Sequence, residues 1–309
     1  MRQDGLGELQ IGGVTIRFHR TVRVAEGRQP SNLPPSLGYF PLYRVSDYRE
    51  KAPESWETGG FFFPMHDKEA MWMSFHALPP VALLIGAGGI NAISGEPLGT
   101  NLIKDGYIAT PPQPWLDGWK SPKGTVYQFV AAPYEEGKGI TVGEQILGDK
   151  SITGGLGIAV FQAKEPEKLH FEKMPHEMWG TEAWGSTPYY SAHATLSSTK
   201  GMSATVKLGP EARLYHAEMG LGKGGEIIQK IYPDPYGLEV WKDAPEVTTA
   251  VYLVNAKLFS EITGLQFPEP VGHESYQGKW FGLDDQTLQD VPGTEKFVGL
   301  KSVFQEEKK

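Results

Sequence analysis

The chain has no cysteine among its 309 residues. That excludes disulfide staples, a thiolate nucleophile and any zinc or iron–sulfur centre built on sulfur. It has no basic tract. Lys and Arg number 29 against 37 Asp and Glu, for a formal charge of −8, and the nearest thing to a basic run, at 306–309, is half acidic. A nucleic-acid surface needs a basic stripe, so no nucleic-acid partner is expected. It has no long hydrophobic run either. The longest, at 81–85, is far below the roughly 20 residues that span a bilayer, and residues 1–13 lack the apolar core of a secretory signal. The expectation is a cytoplasmic protein without a membrane span.

Glycine and proline are what the chain has in excess: 38 and 24 residues, about a fifth of the total where roughly 12% is usual. They are spread along the chain, which reads as many turns between short strands. With 8 Trp and 13 Tyr, residues that favour a pleated surface, this points to an all-β fold of packed antiparallel sheets, sandwich-like, with one or two short helices.

The run 108–164 shows the pattern best. Apolar segments at 125–131, 140–147 and 155–161 are each bounded by Gly, Pro, Asp or Lys, the mark of strands separated by turns. Before them, Pro111, Pro112 and Pro114 stiffen the chain ahead of Trp115-Leu116-Asp117-Gly118. Asp117-Gly118 offers a turn with positive φ, flanked by Trp115 and Trp119. Elsewhere, Gly12-Gly13 marks a hairpin or bulge within 9–18, Ser46 stands where it would cap a short helix over 47–51, and 69–76 reads as a strand. Segments 202–208, 212–219, 226–232 and 247–254 form a second set of strands. Asn255 caps the clearest helix, Ala256–Thr263, with Leu258, Phe259 and Ile262 on one face and Gly264 at its stop. The organisation expected is a β-rich half at 1–164, an aromatic connecting loop at 165–201 and a β-rich half at 202–309, or one continuous domain.

The stretches 108–133, 145–148, 154–163, 219–241 (MGLGKGGEIIQKIYPDPYGLEVW) and 299–303 resemble a family of uncharacterised bacterial and fungal proteins. The resemblance extends to 33–48 and 70–75 and so touches most of the chain. It implies one shared architecture and brings no activity and no catalytic residue with it.

No motif licenses a reaction. Gly220-Leu221-Gly222-Lys223-Gly224-Gly225 matches G-x-G-x-x-G, but a dinucleotide loop needs a helix next. Residues 226–232 are β-branched and run into Pro233 and Pro235, so a glycine-rich hairpin is expected instead and no cofactor. Gly86–Gly89 follows a strand with the wrong spacing. His216 and Glu218 lie two apart in an expected strand, on one face. With His170 and His176 they are candidate metal ligands, since imidazole and carboxylate suit zinc, manganese or iron. Histidines beside acidic neighbours at the surface are the commoner arrangement. Glycosidase carboxylates would come from separate strands, and Glu135, Glu136, Glu144, Asp284 and Asp285 are all candidates without distinction. No G-x-S-x-G elbow is present.

The strongest lead is aromatic. Trp115, Trp119, Trp179, Trp184, Tyr189 and Tyr190 lie in Gly/Pro/Ser-rich segments. They either cover the ends of a core or meet a partner. The expected function is a non-enzymatic β-rich binding or self-assembling structural protein, with a second copy of the chain, a carbohydrate or a protein as partner. The alternative is a carbohydrate-active hydrolase or a metal-dependent β-sandwich enzyme.

Overall fold

The computed structural model describes residues 5–27, 29–134, 139–148, 154–169, 218–270 and 289–304. The described chain is all-β, with two short α-helices. Its strands are β1 (Leu9–Ile11), β2 (Val14–Thr21), β3 (Tyr43–Arg44), β4 (Phe61–Pro64), β5 (Ala70–Ala77), β6 (Val81–Ala87), β7 (Ile90–Asn91), β8 (Ile108–Thr110), β9 (Trp115–Leu116), β10 (Gly118–Lys120), β11 (Thr125–Pro133), β12 (Leu156–Gln162), β13 (Glu218–Ile228) and β14 (Val247–Val254). The helices are α1 (Val142–Leu147) and α2 (Ala256–Thr263).

All of these strands join one sheet, ordered β1-β2-β5-β11-β13-β14-β12-β6-β7, with β3, β4, β8, β9 and β10 attached at its sides. The pairings are antiparallel except for β14 with β4. The two strands from after residue 201 sit side by side between strands from before 165: β13 pairs with β11, and β14 lies between β13 and β12.

Side chains alternate across a strand, and here the alternation sorts them between two surfaces. Ile16 and Phe18 of β2, Met71, Met73 and Phe75 of β5, Leu83 and Ile85 of β6, Phe129 and Ala131 of β11, Ile158 and Val160 of β12, and Val251 and Leu253 of β14 all enter one core cluster. One face of the sheet therefore wraps around a single interior, and its opposite walls pack across that interior as two sheets of a sandwich would. The far ends also meet. A Cβ on Gly12, in the β1–β2 turn, would lie 2.9 Å from side-chain atoms of Val160 and Val247.

The other face is covered as well. Phe62, Tyr252 and Val254 pack under α2; Leu84, Ala159 and Phe161 lie beneath Tyr107 and Trp241; Trp72, Val126 and Ile227 sit under Val24 and Leu33; and Val130 and Ala132 lie beneath Val303. Burial on both faces is why β6, β11 and β12 read as continuous apolar runs rather than as alternating ones.

Several local expectations hold. Gly12 and Gly13 take φ of 52° and 87°, the pair of positive values that a tight two-residue hairpin requires. Asn255 accepts a hydrogen bond from the Leu258 amide at 3.0 Å, and Gly264 ends α2 in the left-handed region at φ 71°.

Others are corrected. The segment expected as a strand at 140–147 contains helix α1. Thr141 accepts from the Glu144 amide while the Glu144 side chain accepts from the Thr141 amide, a capping box whose four-residue signal outweighs the β-branched composition around it. Ser46 does not cap the helix after it. That 3-10 helix, Val45–Tyr48, begins at Arg44 without a side-chain cap. Residues 22–25, after β2, are irregular. The glycine-rich run at 220–225 lies inside the single strand β13 rather than at a hairpin turn.

Its glycines answer to covering segments. A Cβ on Gly220 would meet Thr141 at 2.6 Å, on Gly222 Val303 at 2.4 Å, and on Gly225 the carbonyls of Val24 and Ala25 at 2.7 Å. Three segments lie so close to β13 that its backbone has no room for side chains there.

Candidate functional site

Residues 108–121 form a corner of three short strands. β8 pairs with β6, β9 with β5 and β10 with β11. Two glutamines hold the corner. Gln113 donates to the carbonyls of Trp115 at 2.9 Å and Lys230 at 3.3 Å, and accepts from the Tyr232 amide at 2.8 Å. Gln229 accepts from the Asp117 amide at 2.9 Å and donates to the Trp115 carbonyl at 3.1 Å. Phe129 donates its amide to the Asp117 carbonyl at 3.1 Å. The expected positive-φ turn at Asp117-Gly118 is absent, since neither residue has a positive φ. Gly118 is required for a different reason: a Cβ there would sit 1.9 Å from the Tyr127 carbonyl oxygen.

Within this rigid frame the Asp117 side chain stands out. The residue has no exposed surface, and neither carboxyl oxygen has a hydrogen-bond partner. Burial raises its pKa well above the ordinary carboxylate value. The nearby Trp115 side chain opposes that rise. Burial thus favours the protonated form of Asp117, which carries one O–H donor and a free acceptor oxygen. Its neighbour in sequence, Lys120, is also fully buried but donates to Asp290 at 2.6 Å, and Asp290 in turn accepts from the Ile231 amide at 2.7 Å. Burial lowers the Lys120 pKa and Asp290 opposes that.

A second buried polar group invites a catalytic reading. His19 Nδ1 lies 2.9 Å from Ser36 Oγ and Nε2 lies 2.8 Å from Ser74 Oγ. Its ring stacks on Trp72 at 3.5 Å between centroids. Desolvation, with Arg17 second, lowers its pKa to about 3. A serine nucleophile needs a base that can hold its proton as imidazolium, stabilised by a charged third member. His19 has a hydroxyl in that place and an environment that rejects the charge. Placing the proton on Nδ1 satisfies all three groups: Nδ1–H donates to Ser36, the Ser36 hydroxyl donates to the Gly38 carbonyl at 3.2 Å, and the Ser74 hydroxyl donates to Nε2. The arrangement ties the 36–38 loop to the sheet.

The candidates from sequence are distributed as follows. Trp119 is fully buried in the main core against Phe129 and Phe297 and presents no surface to a partner. Trp115 is half-buried, at the edge of the cluster containing Trp72. Trp179, Trp184, Tyr189, Tyr190, His170, His176 and His216 lie outside the described residues. Glu218 begins β13. Among the described residues, no group of three or more His, Asp or Glu is placed to hold a metal ion. Glu144 is committed to its helix cap, accepting from the Thr141 hydroxyl at 2.7 Å. No helix among the described residues is long and apolar enough to cross a membrane.

The sequence reading singled out Trp115 and the Asp-Gly pair but missed the acid itself. The one available signal was a charged residue between Leu116 and Trp119, and strand periodicity does not tell a buried aspartate from a turn aspartate. Comparison with protein-family models, curated proteins and solved structures finds no match.

Proposed function

We propose that the protein is a non-enzymatic binding protein for a small uncharged ligand of the saccharide class, and that the corner at Trp115 and Asp117 makes the contact. The observation that carries this reading is the Asp117 carboxyl: fully buried, without a hydrogen-bond partner, and in surroundings that favour its protonated form. Leaving such a group unpaired costs about 1–3 kcal/mol. A leucine there would avoid that cost, so a polar group kept at such expense points to a role other than stability. A neutral acid offers a donor and an acceptor together, the pair that a sugar hydroxyl can satisfy. It also disfavours anionic ligands, because the site is too apolar to hold charge. Trp115 supplies the apolar face beside it, and its backbone carbonyl is held by both Gln113 and Gln229. Since Asp117 has no exposed surface, the Trp115 ring must shift for a ligand to reach it.

The test is a fluorescence titration of the full chain with glucose and with N-acetylglucosamine. Binding is expected in wild type and in Asp117→Asn, which keeps a neutral donor and acceptor. It weakens by about tenfold in Asp117→Leu, the loss of one good hydrogen bond, and in Trp115→Ala. Wild-type protein that responds to neither sugar, or an Asp117→Leu variant that binds as wild type does, overturns the reading. The metal-dependent alternative rests on His170, His176 and His216, which lie outside the described residues.

A further inference from the structure

A separate cleft lies beside the N-terminal segment, where it pairs with the chain ahead of β3. Leu6 and Leu42 exchange backbone hydrogen bonds at 2.6 and 2.9 Å. Beyond them the chain passes through β3 into the 3-10 helix Val45–Tyr48. Between that turn and the backbone of Gly5 and Leu6 is a cleft of about 440 Å³, at the small end of the roughly 300–1,000 Å³ range of ligand sites.

Its floor is aromatic and fixed. Tyr43 stacks on Phe62 at 5.5 Å, and Tyr48 meets the same ring edge-on at 5.7 Å. Phe62 belongs to the cluster under α2, so the floor cannot collapse into the space. Burial and the nearby Asp47 raise the Tyr48 pKa, leaving its hydroxyl neutral. At the rim stand Arg44 and Asp47, both exposed. Here the guanidinium makes no ion pair with a described residue, and the carboxylate only accepts a long hydrogen bond, 3.3 Å, from the Ser46 hydroxyl. Three other pairs of opposite charge in the described chain do close on each other: Arg17 with Glu8, Arg20 with Glu69, Lys120 with Asp290.

We propose that this cleft binds a small zwitterion of the α-amino-acid class, its carboxylate on Arg44, its ammonium on Asp47 and its apolar side chain over Leu42, Tyr43 and Tyr48. Arg44 offers the planar fork that takes a carboxylate through two parallel hydrogen bonds. The volume is ample for an amino acid. The site shares no residue with the Trp115–Asp117 corner, so either reading can fail without the other.

The experiment is calorimetry on the full chain with L-phenylalanine, L-leucine, phenethylamine and 3-phenylpropionate. The amine and the acid each keep one charge of phenylalanine. Wild type is expected to bind at least one of the two amino acids, and L-phenylalanine about tenfold more tightly than either single-charge analogue. Arg44→Gln abolishes the advantage over the amine, and Asp47→Asn the advantage over the acid. Both residues are exposed and neither makes an ion pair with a described residue, so neither change disturbs folding, which circular dichroism checks. No binding of either amino acid up to about 10 mM, equal binding of L-phenylalanine and its two analogues, or variants that bind L-phenylalanine as wild type does would each overturn the proposal.

Discussion

His19 makes the stability of this protein depend on pH in a calculable way. In the unfolded chain its imidazole titrates near 6.5; in the fold, burial lowers that to about 3. Between these values the unfolded state binds a proton that the native state refuses, so lowering the pH favours unfolding. The stability associated with neutral His19 is intact above pH 6.5 and is lost progressively as the pH falls toward 3. At about 1.4 kcal/mol per unit, the loss is about 2 kcal/mol at pH 5 and about 3 kcal/mol at pH 4. The perturbation is His19→Gln, which keeps a polar group between Ser36 and Ser74 but has no titrating ring. At pH 7 the variant loses the stack on Trp72 and is less stable by about 1–3 kcal/mol. Urea unfolding of both proteins at pH 7, 6, 5 and 4 reads the difference. His76, whose pKa is also lowered by burial, is present in both and cancels. The wild-type advantage shrinks by about 2 kcal/mol at pH 5 and by about 3 kcal/mol at pH 4, so that by pH 4 it has vanished or reversed. A difference that stays constant across this range would show that His19 titrates normally in the fold, and the reasoning would be wrong.

Further outcomes follow from other residues. Lys223 donates to the carbonyls of Phe297, Val298 and Leu300 at 3.0–3.3 Å and lies 4.2 Å from the Tyr127 ring centroid. Lys223→Met is expected to cost about 2–4 kcal/mol in urea unfolding and to expose residues 295–303 to limited proteolysis; unchanged protection would mean that the lysine does not pin that segment. Gly118→Ala, whose Cβ would meet a backbone oxygen at 1.9 Å, should cost more than about 3 kcal/mol. Gly13→Ala, with open space around its Cβ and a φ of 87°, should cost only about 1–2 kcal/mol. Similar melting temperatures for the two variants would contradict the distinction between close approach and left-handed strain.

Local chemistry was legible in the sequence wherever neighbours along the chain decide the outcome. The Gly12-Gly13 hairpin, the β-branched runs that became β11, β12 and β14, and the Asn255-to-Gly264 helix each depend on contacts a few residues apart. They could be read from residue type and spacing, and the all-β class with them. The helix at Val142–Leu147 was equally local, since Thr141 and Glu144 carry its signal, but the apolar residues around it masked the box. What the tertiary structure decided depends on residues far apart. Joining all strands in one sheet wrapped around one core rests on pairings such as that of β14 with β12, whose partners Leu156 and Val251 are 95 residues apart. The glycines of β13 look like a loop motif in isolation; they are a strand stripped of side chains because Thr141, Val303 and Ala25 press on it. Trp115 and Trp119 are alike in sequence, yet one reaches the surface and the other fills the core. Asp117 is the extreme case, because its neutral charge state exists only when the fold removes water from it. Burial is a property of the whole packing, and no stretch of sequence carries it alone.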